Sequence, residues 1–293
     1  MGTIGIAQET IGKAVEVFPG FWIAATRHHP GLSKQFPEIN NRCLVFRLEE
    51  NGKPLLFVVN AVDPLVIPEI QRLERETGFT VRYIVSPGGG HHLMFDPWVD
   101  AFPQARALLP PSRVPRTVHG KKLMEHERVG LYDATDPFPQ FRGQLEAEVF
   151  DGLLGLPDTK SPAEGGSDNV ISMVKDMFSM MFRMRDPVDE LWLFHVPSGT
   201  VIGGENLGWM LPEATRKQSP FMLRQLTRAN VWIQTMARKV ADKDRVAAHW
   251  QRILAWPAQA VMTYHDAPGF AYFGDGQAAL RSAATASHQL ARA

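Results

Sequence analysis

The chain of 293 residues contains a single cysteine, Cys43. One thiol excludes an intramolecular disulfide and any zinc site built from several thiolates, so stability must come from packing. Cys43 opens the apolar run Cys43-Leu44-Val45-Phe46 and reads as a small buried hydrophobe, not a nucleophile. An excess of either charge is also missing: 31 Lys and Arg balance 31 Asp and Glu. That balance removes the basic footprint of a nucleic-acid binder, so nucleic acid is disfavoured as a partner. No apolar run reaches the roughly 18–20 residues of a membrane span, and no membrane partner is expected. The first 18 residues lack a basic segment, an apolar core and a small-residue cleavage site, so a cytoplasmic location is expected.

Several catalytic signatures are absent as well. There is no Gly-x-Ser-x-Gly elbow, no phosphate loop ending in Gly-Lys-Ser/Thr and no His-Glu-x-x-His. Gly88-Gly89-Gly90 follows a strand without the spaced third glycine of a dinucleotide fingerprint. Serine hydrolases of the usual α/β type, kinases and nicotinamide dehydrogenases are therefore poor candidates. No repeat is visible, and the Ala-rich end at 278–293 is the one biased tract, read as a frayed helix or flexible tail.

What is present is a globular composition, 44% hydrophobic and 21% charged, long enough for a sizeable core. Short strands are expected at 15–18 and 21–24 around Pro19-Gly20. A hairpin follows, with strands at 43–48 and 54–60 around Asn51-Gly52. Ile67, Ile70 and Leu73 stand at helical spacing over 66–77, with Gly78 as the stop. A strand over 80–85 then runs into Ser86-Pro87-Gly88-Gly89-Gly90-His91-His92, and a helix is expected at 98–102. Residues 110–142, rich in Pro and charge, read as an irregular excursion. Later strands are expected at 190–195, 200–202 and 260–264, with a helical region over 219–254. Strand, helix, strand and a Gly-rich loop form an α/β layout.

Three strand ends carry groups able to bind a metal: His91-His92, Glu205 and His265. Ligand sites in layered α/β proteins gather at such ends, and imidazole with carboxylate suits zinc, iron or manganese. Taken singly, His91-His92 can equally be a hydrogen-bonding pair after a tight turn. Glu205 can be a helix cap, and His265 a turn residue. His195, closing Glu190-Leu191-Trp192-Leu193-Phe194, reads as a structural histidine. Met173, Met177, Met180, Met181 and Met184 read as core packing at helical spacing.

The run from Val81 to Leu93, then Trp98 and Phe102-Pro103-Gln104-Ala105-Arg106, resembles a metallo-β-lactamase-like protein. Residues 191–206 resemble the paired strands that deliver that family's bridging acid, and 256–265 resemble the strand that delivers its last histidine. The family signature His-x-His-x-Asp-His falls on Pro87, Gly89, His91 and His92 here, and the bridging aspartate on Glu205. His119 and His126 are candidates for the family's mid-chain histidine.

The resemblance implies a four-layer αββα sandwich of two mixed sheets over residues 40–275. An N-terminal extension with short strands (1–39) and a C-terminal tail (276–293) would flank it. It also implies one divalent metal ion, zinc foremost and iron or manganese as alternatives, held by His92, His265 and Glu205, with His91 as a fourth ligand or electrophile. Asp266 or Asp96 would act as base or orienting partner. The expected activity is hydrolysis of a small ester, lactone, thioester or related substrate. A metal-free binding or scaffold protein and a non-haem iron redox enzyme are the alternatives. A homodimer is the default oligomer.

Overall fold

The structure, a computed structural model, describes residues 11–27, 40–88, 91–92, 94–112, 114–155, 186–203, 239–264, 272–273 and 275–290. Seven strands in chain order form the first sheet: β1 (Ala14–Phe18), β2 (Phe21–Arg27), β3 (Asn40–Glu50), β4 (Lys53–Val59), β5 (Val81–Val85), β6 (Arg106–Leu109) and β7 (Val129–Leu131). The first four run antiparallel. From β4 onward the neighbours are parallel. Parallel neighbours need crossovers. These are α1 (Ile67–Thr77), α2 (Phe95–Ala101) and α3 (Val118–Met124).

The second sheet has the order β11-β8-β9-β10-β12-β13. Its strands are β8 (Leu145–Gly155), β9 (Asp186–His195), β10 (Thr200–Gly203), β11 (Lys239–Val240), β12 (Ala260–Thr263) and β13 (Tyr272–Phe273). Only β10 and β12 pair in parallel; the other pairs are antiparallel. Helices α4 (Lys243–Ala255) and α5 (Gly276–Leu290) belong to this half.

Period-two alternation sorts the side chains into layers. On β3, Leu44, Phe46 and Leu48 face the core between the sheets, where Phe57, Leu191, Leu193 and Met262 meet them. Cys43 and Val45 face the opposite way, onto Ile70, Leu73, Phe95, Trp98 and Leu123 of α1, α2 and α3. On β9, Trp192 and Phe194 face outward onto Val246, Trp250, Ile253 and Leu280 of α4 and α5. The result is helices, sheet, sheet, helices: the expected αββα sandwich. Strands buried on both faces read as unbroken apolar runs, which is why the sequence shows the strands but not their faces.

Local signals are met at the turns. Asn51 and Gly52 both have positive φ (53° and 72°), as the two-residue hairpin requires. Gly78, at φ 73°, caps α1. Other boundaries differ. Helix α2 begins at Phe95, a turn before the expected Trp98. The middle segment is built into the fold: it supplies α3 and β7, and Phe138 and Phe141 pack between the sheets. Of the expected helical region over 219–254, residues 219–238 lie outside the described residues and the helix starts at Lys243. The Ala-rich end forms α5, with Leu280 and Ala283 buried. The methionines from Met173 to Met184 lie outside the described residues.

Strand β8 was not evident in the sequence, because a bulge between Phe150 and Leu153 breaks its alternation. The bulge turns Asp151 towards α4, where His249 is clasped between two carboxylates. Its Nε2 lies 2.8 Å from Asp151 Oδ1 and its Nδ1 meets Glu148 Oε1. Arg252 Nε reaches both Glu148 oxygens at 2.9 Å, and Arg245 meets Asp151. Burial alone would lower the His249 pKa, but hydrogen bonds to Asp151 and Glu148, with their charges, raise it above 6.5. Burial likewise acts to raise Glu148, yet His249 and Arg252 hold it below 4.5.

The clasp therefore stabilises fully between these two ordinary values. It weakens as pH rises through the elevated histidine pKa, or falls through the depressed carboxylate pKa. Replacing His249 with leucine is expected to cost about 2 kcal/mol near pH 6, with the deficit shrinking towards alkaline pH. Calorimetric melting across that range checks it, and a deficit independent of pH would refute the clasp.

Candidate functional site

The carboxyl ends of β4, β5 and β6 open on one edge of the sandwich, where ligands of open α/β sheets gather. Asn60 follows β4, residues 86–92 follow β5, and residues 110–117 follow β6. Asn60 is 1% exposed and adopts a left-handed φ of 67°. A non-glycine residue held there carries strain that persists only when its surroundings impose it.

Its partners show what imposes it. Asn60 Nδ2 donates to Asn41 Oδ1 (2.8 Å) and to the Arg42 carbonyl (2.9 Å). The carbonyl can only accept, so the amide orientation is fixed and Oδ1 is the atom 2.8 Å from His91 Nδ1. His91 Nδ1 must therefore carry the proton, and neutral His91 has its lone pair on Nε2. This is how metal-binding histidines are oriented: one ring nitrogen donates to a fixed acceptor while the other faces the ion.

His91 and His92 diverge. The His91 ring lies 5.7 Å from the Tyr264 ring, on the side of the second sheet. The His92 ring lies 5.5 Å from that of His119, with Nε2 3.4 Å from Thr117 Oγ1, on the side of α3. His119 Nε2 in turn lies 3.3 Å from Asp96 Oδ2. His126 Nδ1 accepts from the Arg128 N–H at 3.2 Å, a local turn contact. Among the described residues, no three His, Cys, Asp or Glu side chains come together as a metal site.

The second sheet delivers the rest of this edge. Gly203 pairs with Thr263, so β10 and β12 end level with each other, each two residues before Glu205 and His265. Glu205, His265 and Asp266 lie outside the described residues. Where β10 stops, the loop after β5 takes its place beside β9: Gly88 bridges Glu190, and Leu191 N–H donates to Pro87 O at 2.7 Å. Arg42, fully buried on β3, donates from Nη1 to the Thr263 carbonyl at 3.3 Å, and its N–H donates to the Tyr264 carbonyl at 2.9 Å. The two sheets are thus tied together at this edge.

Beside His91 lies a buried polar cluster that sequence reasoning missed. Asp189 Oδ2 accepts the Ser112 N–H at 2.7 Å. Asp189 Oδ1 and the hydroxyls of Tyr132 and Tyr264 have no hydrogen-bond partner among the described residues. Burial, opposed by the Ser112 contacts, raises the Asp189 pKa. Burial, then Asp189, Tyr264 and Glu190, raises Tyr132; burial and then Glu190 raise Tyr264. Buried polar atoms ordinarily find partners, which sets this cluster apart from the apolar core around it. Asn60 interrupting Phe57-Val58-Val59, and two acids before Leu191-Trp192-Leu193-Phe194, were the available signals.

Two other residues have settled roles. His195 is 2% exposed, lies 5.0 Å from the Phe46 ring and 2.8 Å from Ser198 Oγ, and burial lowers its pKa to about 4. It is a neutral core histidine. Cys43 is fully buried, and burial drives its thiol pKa up, so no thiolate is on offer.

The sequence matches no protein-family model and no curated protein. Solved structures do match. A β-lactamase domain protein from Burkholderia ambifaria is 12% identical, with a TM-score of 0.51 over 99% of this chain and 80% of that one. A metallo-β-lactamase from Hirschia baltica is 13% identical, with a TM-score of 0.51 over 93% and 96%. A metal-soaked flavodiiron core from Synechocystis is 12% identical, with a TM-score of 0.53 over 95% and 60%. Together with the layers and strand order described above, these likenesses identify the architecture of this chain as the metallo-β-lactamase-like fold.

Proposed function

We propose that the chain is a metal-dependent hydrolase of a small ester, lactone, thioester or related substrate. The observation that carries this reading is the fixed tautomer of His91. Asn60 holds the proton on Nδ1, which makes Nε2 the ring nitrogen that carries the lone pair. Nitrogen and carboxylate donors suit zinc, iron or manganese. A divalent ion held there would lower the pKa of a bound water and polarise a carbonyl oxygen.

His91 binds on this reading, with Glu205 and His265 as the sequence-derived partners. Asn60 orients His91, and Asp266 is the candidate base. His92, the fourth member of the sequence-derived ligand set, is turned towards Thr117 and His119.

Elemental analysis of protein purified without chelators is expected to give about one equivalent of metal. His91→Ala is expected to lose that metal and at least about 100-fold in hydrolysis of activated esters or lactones. Protein that takes up no metal on reconstitution and hydrolyses none of these substrates would overturn the proposal.

A further inference from the structure

We propose that the edge at the carboxyl ends of β4, β5 and β6 docks on an anionic lipid surface. Leu65, Met94 and Val118 enter the interface, and Arg116 and Lys121 meet the headgroups. The inference is independent of the hydrolase reading and of any metal. It starts from three apolar side chains left in water. Leu65 and Val118, 77% and 85% exposed, are the most exposed large hydrophobic residues among the described ones, and Met94 is 42% exposed. Leu65 lies in the turn Pro64–Val66 that leads into α1, Met94 immediately precedes α2, and Val118 opens α3. Because β4, β5 and β6 are adjacent and parallel, these three connections leave from one edge in that order. Trp98 of α2 donates from Nε1 to the Val62 carbonyl at 2.8 Å, and Asp96 of α2 lies 3.3 Å from His119 of α3, so the three helix starts form one continuous surface. A single exposed aliphatic is ordinary, whereas a row of them on one edge marks an interaction face.

The charge around this row selects the partner. The chain as a whole is balanced, yet residues 101–124 hold five Lys and Arg and no Asp or Glu. Arg116, Lys121 and Lys122 are exposed and form no ion pair among the described residues. Lys121 and Lys122 stand three and four residues after Val118, on its face of α3, while Gly120 and Leu123 are buried on the other. Lys122 also borders the groove that Asp100 and Glu125 line, so Arg116 and Lys121 carry the contact. The nearest acids in the chain to the apolar tips are engaged: Asp63 Oδ1 accepts the Leu65 N–H at 3.0 Å, and Asp96 faces His119. Aliphatic tips set among cations match the headgroup boundary of an anionic bilayer. Single-stranded nucleic acid would call for aromatic stacking platforms, and none of the exposed large hydrophobic residues among the described ones is aromatic. No described helix is long and apolar enough to cross a membrane, so the contact is peripheral.

Vesicle flotation tests this, with phosphatidylcholine alone against an equal mixture of phosphatidylcholine and phosphatidylglycerol at about 0.1 M salt. Wild-type protein is expected to bind the anionic vesicles at least about tenfold more tightly than the neutral ones. Arg116→Gln with Lys121→Gln should lose that preference, and Leu65→Ser with Val118→Ser should weaken binding by about tenfold or more. Arg281→Gln, which removes an exposed cation on α5, should bind as wild type. All these side chains are exposed, so circular dichroism should show every variant folded. Insertion is read directly from Val118→Cys carrying an environment-sensitive dye, since Cys43 is buried and does not compete for the label. A blue shift on adding anionic vesicles is the expected signal. Wild-type protein that stays off anionic vesicles would overturn the proposal, as would vesicle binding that Leu65→Ser with Val118→Ser leaves unchanged. A short DNA duplex bound more tightly than the anionic vesicles would also overturn it, and would assign the cations to nucleic acid.

Discussion

Asn60→Ala is expected to cost about 3 kcal/mol or more in stability, because it removes three hydrogen bonds at once from a buried edge. The Arg42 carbonyl, Asn41 Oδ1 and His91 Nδ1 each lose the hydrogen bond to Asn60, and alanine inherits the left-handed φ of 67°. Strain of that kind adds about 1 kcal/mol or more. The functional loss should be larger than the stability loss suggests. Without the Oδ1 acceptor, the imidazole no longer prefers the Nδ1–H tautomer, and metal affinity should fall by about 10–100-fold.

Asn60→Gly separates the two effects. Glycine accepts the backbone conformation, so it removes the hydrogen bonds without the strain. Urea denaturation and metal titration of both variants give the comparison. Equal stability for alanine and glycine would show that the strain is unimportant. Wild-type metal affinity in either variant would sever Asn60 from the site.

Gly120→Ala should have a comparably large effect through sterics alone. A Cβ on Gly120 would stand 1.9 Å from the Val114 carbonyl oxygen, 2.6 Å from Val114 Cγ1 and 2.7 Å from Thr117 Oγ1. None of these is the free end of a flexible chain. Thr117 caps α3 by accepting the Gly120 N–H at 2.8 Å, and its own hydroxyl donates to the Val114 carbonyl at 2.9 Å. The whole cap must shift, for a cost of about 3 kcal/mol or more. His92, which rests on Thr117, should shift with it and change its histidine NMR signals. Gly130 on β7 has open space at its Cβ position, so Gly130→Ala should be close to neutral. A denaturation midpoint for Gly120→Ala matching that control would show that α3 yields freely.

The sequence carried the layers better than the site. Apolar runs such as Leu55-Leu56-Phe57-Val58-Val59 announce a doubly buried strand by chemistry alone, and Asn51-Gly52 announces its hairpin. Strand β8 stayed hidden because Asp151 and Gly152 interrupt the alternation at a bulge that exists to serve α4. The site was legible only where one residue type implies one chemistry. Histidines at a strand end drew attention, but their divergence depends on a backbone turn that spacing does not encode. Asn60 and Glu190 left only weak signals for the same reason. Asparagine after a strand usually means a turn, and a glutamate before an apolar run usually means a solvated edge. Their meaning comes from partners 31 and 102 positions away, His91 and Gly88.

The bridge between Gly88 and Glu190 also bears on the order of folding. Contacts near in sequence form first, because closing a long loop costs entropy before any contact rewards it. The meander of β1 to β4 can assemble early on local pairings, as the short hairpin links allow. The turn that seats His91 cannot, since its second wall is β9, about a hundred residues downstream. During synthesis, the first sheet can exist for some time with the turn at His91 unformed. The architecture around His91 would then arrive abruptly, with the docking of the second sheet.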